Sequence, residues 1–159
     1  MSFNFDEAIN EIQEAINRDA QNTFSEEVLK RFHDPKYMGN MKNPEGYAKI
    51  KGPCGDSMEI FLRIHDKKIV SAQFMTDGCG TTVAAGSMAC ELAIGEKITD
   101  LKEISQDEIL KNLGGLPEEN VHCALLASDT LMDAANNYSA SKERENDSII
   151  NTNIKDGRI

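Results

Sequence analysis

The fold is decided by residues 58–75, MEIFLRIHDKKIVSAQFM. Apolar residues alternate along Met58–Ile64 and recur along Lys67–Met75, a pattern typical of β-strands that bury one face. Asp66 and Lys67 lie at the junction of the two segments, which predicts a tight antiparallel hairpin. A shorter strand is predicted at Tyr47–Lys51. Because only one face of such a sheet needs burial, we expect helices to cover that face.

Helical patterns flank these strands on both sides. The first is amphipathic and spans residues 4–20, with Asn4 as its N-cap. Four more helices are predicted, from Ser25 to the stop at Pro35, at Thr81–Ile94, at Gln106–Leu113 and from Pro117 to about residue 140. The predicted fold class is α+β: a small three-stranded antiparallel sheet with helices packed on one face, plus an extra N-terminal amphipathic helix.

The composition predicts one globular domain. The chain has 159 residues, of which 40% are hydrophobic and 28% charged, enough for one core but hardly for two. We assign residues 1–22 to an N-terminal helical extension and residues 23–139 to the domain. Residues 140–159 are polar and carry no apolar pattern, so a mobile tail is expected there.

Charge and hydropathy argue against two classes of partner. Acidic residues outnumber basic ones 27 to 17, whereas a nucleic-acid-binding surface needs Lys and Arg to neutralise phosphates. No apolar run approaches the roughly 20 residues that a membrane helix requires. Residues 1–12 also lack the basic flank and apolar stretch of a secretory signal. We therefore expect a cytoplasmic protein whose four cysteines are reduced thiols.

Three of the cysteines lie where predicted elements begin or end. Cys54 lies in a turn between two strands, Cys79 between the last strand and a helix, and Cys123 in the first turns of the final helix. Loops and helix ends from distant parts of a chain commonly assemble metal sites, and helix N-termini favour the thiolate forms of Cys79 and Cys123. The spacing contains no C-x-x-C pair. By spacing alone, a shared metal site and separate structural thiols are equally open.

The remaining cysteine and the three histidines receive different interpretations. Cys90 lies about 16 Å along the predicted helix from Cys79 and is interpreted as a buried core residue. His33 and His65 are interpreted as surface residues. His122 directly precedes Cys123 at a helix start and is kept as a candidate metal ligand.

In combination, these segments closely resemble the U-type iron–sulfur scaffold family, which includes IscU and the N-terminal domain of NifU. The matching pieces are Cys54-Gly55-Asp56, the turn Asp77-Gly78-Cys79-Gly80 before a small-residue helix, and His122-Cys123. Residues 28–35 with Gly39 also look like the family's N-terminal helix and turn. The resemblance covers about residues 25–138, and it implies the family's three-stranded sheet with helices on one face.

The resemblance also implies a function. Cys54, Cys79 and Cys123 would be ligands of an iron–sulfur cluster, expected to be of the 2Fe–2S type, with Asp56 or His122 completing the site. A cysteine desulfurase would supply sulfur, with Cys123 as the persulfide acceptor. The finished cluster would pass to apo iron–sulfur proteins, so the chain is expected to be a carrier and not a turnover catalyst.

Two departures refine this expectation. Family members that work with a dedicated heat-shock chaperone present Leu-Pro-Pro-Val-Lys before the His-Cys pair, whereas Leu116–Asn120 reads LPEEN and argues against chaperone-assisted release. The short gap between Cys79 and Cys123 disfavours the zinc-holding SufU branch. The helix at residues 4–20 lies outside the resemblance, and capping of the domain, self-association into a homo-oligomer and covering of the metal site are all open roles for it.

Two other functions stay open. Zinc accepts Asp, Cys and His ligands in a tetrahedron, so Asp56, Cys79, His122 and Cys123 could instead serve a zinc-binding sulfur-transfer protein. The second alternative is a non-catalytic adaptor that binds the desulfurase through its acidic surface, with the thiols merely structural.

Overall fold

The computed structural model describes residues 4–155. Three strands follow two helices: α1 is Phe5–Thr23, α2 is Glu26–His33, β1 is Gly46–Lys51, β2 is Ser57–His65 and β3 is Lys68–Thr76. Three further α-helices complete the chain, namely α3 (Gly80–Ala93), α4 (Gln106–Leu113) and α5 (Val121–Lys155). Short 3₁₀ turns at Ile98–Glu103 and Glu118–Asn120 precede α4 and α5.

The three strands form one antiparallel sheet in the order β1-β2-β3. The predicted hairpin is confirmed: Asp66 and Lys67 connect the paired residues His65 and Lys68. Both turn residues have positive φ angles, 50° and 62°, as a two-residue type I′ turn requires.

The helices pack on one face of this sheet, so the predicted fold class is confirmed. α3 packs against β3, and α5 packs along β1 and β2. α3 is rich in small residues because it lies close to the sheet: a Cβ atom on Gly86 would be 2.6 Å from the ring of Phe74. Phe74 is fully buried, and burial of such a side chain contributes about 2–3 kcal/mol.

Serine caps begin two of the predicted helices. The hydroxyl of Ser25 accepts a hydrogen bond from the Val28 N–H at 3.2 Å, and that of Ser105 accepts one from the Glu108 N–H at 3.3 Å. Asn4 occupies the N-cap position of α1, but its side chain makes no capping hydrogen bond there.

α1 contacts α2, yet none of its residues is buried. Its apolar stripe therefore faces solvent, with Phe5 68% exposed and Ile12 61% exposed. Within residues 4–155, no helix is both long enough and apolar enough to cross a membrane.

The predicted end of the last helix, at about residue 140, is corrected, because α5 continues to Lys155. Ser141, Ser148 and Thr152 each donate a hydrogen bond to the carbonyl four residues earlier, and Lys142 pairs with Glu145. Neither Gly nor Pro interrupts the chain from residue 118 to residue 155. Residues 156–159 of the predicted tail lie outside the described residues, and the mobility of the tail stays a prediction.

Candidate metal centre

The ends of three elements meet at one edge of the domain. Cys54 lies in the turn between β1 and β2, Cys79 is the N-cap residue of α3, and Cys123 lies in the first turn of α5. The β1–β2 turn is closed by a hydrogen bond from the Gly52 N–H to the Asp56 carbonyl, at 2.8 Å. Asp77 ties this turn to the end of β3, because its carboxylate accepts a 2.6 Å hydrogen bond from the Ser57 N–H.

Two buried threonines connect the sulfur atoms of Cys79 and Cys123. The Thr81 hydroxyl lies 3.0 Å from Cys79 Sγ and 3.5 Å from Cys123 Sγ. The Thr82 hydroxyl lies 3.7 Å and 3.4 Å from the same two atoms. Asn120 fixes the first hydroxyl by donating to Thr81 Oγ1 at 3.3 Å. The two thiols, 44 positions apart in the chain, are thus held beside one pair of hydroxyls.

Asp56 joins this group through Thr82, whose hydroxyl donates a 2.9 Å hydrogen bond to Asp56 Oδ2. Gly78 leaves room for the contact, since a Cβ atom there would be 2.6 Å from the same carboxylate oxygen. The structure therefore places Asp56, Cys79 and Cys123 around the Thr82 hydroxyl. Cys54 lies on the exposed turn two residues before Asp56.

The surroundings of Cys79 favour its thiolate. Burial raises the pKa of this thiol, but hydrogen bonds from the Thr81 hydroxyl and from the backbone N–H groups of Thr81 and Thr82 outweigh that effect. The net pKa is lowered, in agreement with the expectation from its position at a helix N-terminus. Cys79 is also exposed, so the thiolate is accessible to reagents and metals.

Cys123 requires a correction, because its pKa is raised and not lowered. Burial of the thiol is the main cause, and the charges of Cys79 and Cys54 raise the pKa further, whereas the Thr81 hydroxyl opposes the change. Only 1% of Cys123 is exposed. The sequence indicates that Cys123 lies near the start of a helix, but it does not reveal that Cys123 is buried or that the thiols of Cys79 and Cys54 lie near it.

The remaining cysteine and the histidines differ in burial and in their distance from the site. Cys90 is fully buried in the core, and burial alone raises the pKa of its thiol, which confirms its structural interpretation. His122 Nε2 lies 3.8 Å from Cys123 Sγ. His65 is exposed beside Asp66 in the hairpin.

No three His, Cys, Asp or Glu side chains within residues 4–155 are placed so as to bind a single metal ion. This finding applies equally to the residues of the zinc alternative and to the cluster ligands that the resemblance implies, so it does not separate the two functions.

Sequence reasoning did not identify Thr81, Thr82 and Asn120. Their one available signal was position: the threonines directly follow Cys79-Gly80, and Asn120 lies three residues before Cys123. A threonine in the first turn of a helix does not by itself indicate a functional site, because its hydroxyl commonly forms a hydrogen bond with the backbone.

Comparison with known proteins places this arrangement in a family. The model of the NifU-like N terminal domain matches residues 23–145. The chain belongs to the NifU-like N-terminal domain family. The resemblance inferred from the cysteine segments is thereby confirmed.

Relatives of this NifU-like chain carry names that describe cluster assembly. It is 35% identical over 116 residues to "Iron-sulfur cluster assembly scaffold protein IscU 1" of Archaeoglobus fulgidus, covering 72% of this chain and 76% of that one. It is 34% identical over 130 residues to "Iron-sulfur cluster assembly scaffold protein IscU" of Rickettsia prowazekii, covering 79% of this chain and 98% of that one.

A solved structure is similar in fold. The crystal structure of the N-terminal part of a NifU-like protein from Brucella abortus matches with a TM-score of 0.58, covering 73% of this chain and 94% of that one. Their sequence identity is 17%, so this likeness supports the fold alone.

Proposed function

We propose that this protein is a scaffold on which a labile iron–sulfur cluster, of the 2Fe–2S type, is assembled and then transferred to apo-proteins. The observation that carries the proposal is the group formed by Cys79, Cys123 and Asp56 around the Thr82 hydroxyl, with Cys54 on the adjoining turn. Thiolates are the ligands that iron–sulfur clusters prefer, and the relatives named above are scaffolds by name.

The proposed ligands are Cys54, Cys79 and Cys123, with Asp56 or His122 in the fourth place. Four thiolates suit a permanent redox centre, whereas a carboxylate or imidazole forms a more exchangeable bond to iron. Three thiolates with one weaker ligand therefore favour release, which a scaffold needs. Cys79 and Cys54 are exposed, which gives iron access to the group.

Cys123 is the proposed sulfur acceptor. Its thiolate would attack the outer sulfur of a persulfide on a cysteine desulfurase, forming a new S–S bond as the donor S–S bond breaks and the desulfurase thiolate leaves. Since Cys123 is buried, this transfer requires its thiol to become exposed when the desulfurase docks.

The remaining parts of the proposal follow from the same function. The chain acts as a carrier and not as a turnover catalyst, works in the cytoplasm, and releases its cluster without a dedicated chaperone. Self-association is a candidate role for the exposed apolar stripe of α1.

An anaerobic transfer experiment tests the proposal. Metal-free protein is loaded with iron and sulfide, and transfer to an apo-ferredoxin is followed by visible absorption. Rapid, stoichiometric transfer is expected, with direct reconstitution of the same ferredoxin as the control. If no cluster forms under conditions that reconstitute the ferredoxin, the scaffold function is wrong and zinc-dependent sulfur transfer replaces it.

Asp56 gives a sharper test of the exchangeable ligand. Asp56→Ala is expected to retain its cluster longer and to transfer it more slowly, because the weaker iron bond is removed. Transfer half-times measured by visible absorption check this. Equal rates in the wild type and the variant would rule out the role of Asp56.

A further inference from the structure

The Thr82 hydroxyl lies between the Asp56 carboxylate and the sulfur atoms of Cys79 and Cys123. Thr82 is fully buried, and its oxygen lies 2.9 Å from Asp56 Oδ2, 3.4 Å from Cys123 Sγ and 3.7 Å from Cys79 Sγ. A hydroxyl has a single proton to donate, and a carboxylate is a much stronger acceptor than a sulfur atom. The proton therefore goes to Asp56, and the two sulfur atoms lie beside the remaining face of the oxygen.

This hydrogen bond is the anchor of the Asp56 side chain. Within residues 4–155, Thr82 is the only hydrogen-bond partner of the Asp56 carboxylate. The backbone of Asp56 belongs to the partly exposed β1–β2 turn, whereas Thr82 is fixed inside α3. A carboxylate accepts several hydrogen bonds, so the use of Oδ2 by Thr82 leaves Oδ1 available to a metal.

The backbone at Gly78 is shaped around the same contact. A Cβ atom on Gly78 would be 2.6 Å from Asp56 Oδ2 and 2.7 Å from Thr82 Cβ. Any larger residue would separate the carboxylate from the hydroxyl. The lack of a side chain at Gly78 thus allows the Thr82 hydroxyl to donate its hydrogen bond to Asp56.

We infer that Thr82 is a positioning residue that holds the Asp56 carboxylate beside Cys79 and Cys123, where it serves as the exchangeable ligand of the cluster. This inference rests on the scaffold function proposed above and adds to it a residue that does not itself bind iron. Residues that orient metal ligands typically change metal affinity or activity by about 10- to 100-fold when they are mutated.

The experiment compares two substitutions at one position. Thr82→Val keeps the shape and removes the hydroxyl, whereas Thr82→Ser keeps the hydroxyl. Thr82→Val is expected to slow cluster transfer by the same factor as Asp56→Ala, roughly 10-fold, and Thr82→Ser is expected to restore the wild-type rate. The double variant Asp56→Ala/Thr82→Val should be no slower than either single variant, because both changes remove the same ligand.

Thr130→Val is the matched control. Thr130 is also fully buried, but its hydroxyl donates to the Leu126 carbonyl within α5. Its loss is expected to leave the transfer rate unchanged. Wild-type transfer in Thr82→Val, or a double variant slower than either single variant by the product of their effects, would overturn the inference.

A measurement on the metal-free protein separates this inference from the scaffold function. The carboxyl carbon resonance of Asp56 in the NMR spectrum should shift in Thr82→Val and return in Thr82→Ser. An unchanged resonance in Thr82→Val would refute the positioning role even if the wild type transfers clusters well. A wild type that forms no cluster, together with a shifted resonance, would refute the scaffold function while the Thr82–Asp56 contact stands.

Discussion

The two ends of α3 each carry a cysteine, and the environments of these two thiols are opposite. At the N-terminal end, Cys79 is exposed, and threonine and backbone hydrogen bonds lower the pKa of its thiol. Three turns later, Cys90 is fully buried, and burial raises the pKa of its thiol. One short helix therefore carries a chemically active thiol and an inert one. The difference in reactivity comes from the exposure and hydrogen bonding of Cys79 and from the burial of Cys90.

The buried part of α3, from its middle to the inert end, is expected to dominate stability. Phe74 is fully buried against Gly86 in the middle of α3, so Phe74→Ala should lower the free energy of unfolding by about 3–5 kcal/mol. Urea denaturation of the metal-free protein measures this change. Val70→Ala on the same strand is the control, because Val70 is half-exposed and should lose much less. Equal losses in the two variants would contradict the assigned core.

The active end is expected to dominate reactivity. In the native metal-free protein, iodoacetamide should alkylate Cys79 roughly 100-fold faster than Cys90, because a buried thiol reacts only after local opening. The lowered pKa of Cys79 and the raised pKa of Cys123 predict that alkylation of Cys79 reaches half its maximal rate at a lower pH than alkylation of Cys123. Mass spectrometry of labelled peptides gives both quantities, and the reverse order of the two midpoints would contradict the site geometry.

The smallest expected effect is a gain of stability at the active end. Cys79 holds the N-cap position of α3 with a thiol, which is a weaker hydrogen-bond acceptor than the serine hydroxyls of Ser25 and Ser105 that cap α2 and α4. Cys79→Ser should therefore stabilise the metal-free protein by about 0.5–1 kcal/mol while it weakens cluster binding. Urea denaturation checks the gain, and Cys54→Ser, which lies in no helix, is the control. A loss of stability in Cys79→Ser would show that the thiol itself stabilises the helix.

The fold was largely accessible from local sequence. Strand alternation, the Asp66-Lys67 turn and the serine caps each act over a few residues, and the structure confirms them. The end of α5 was missed because residues 140–155 carry no regular apolar pattern, although local side-chain hydrogen bonds and the lack of Gly and Pro in this segment allow the helix to continue.

The candidate site was accessible only in part. The cysteine segments named the family, but the Thr82–Asp56 contact joins residues 26 positions apart and depends on how α3 meets the β1–β2 turn. The burial of Cys123 likewise depends on how α5 packs. Such properties arise from tertiary contacts, which no local pattern encodes.

The iron content of two alanine variants after anaerobic reconstitution tests the proposed metal centre at Cys79. Cys79→Ala and Cys90→Ala each remove one thiol from the same helix, and the folding of both is checked by circular dichroism. Cys90→Ala is expected to bind as much iron and acid-labile sulfide per chain as the wild type, whereas Cys79→Ala is expected to lose its stable cluster. Equal cluster content in both variants would contradict the division of α3 into an active and an inert end, and with it the proposed metal centre.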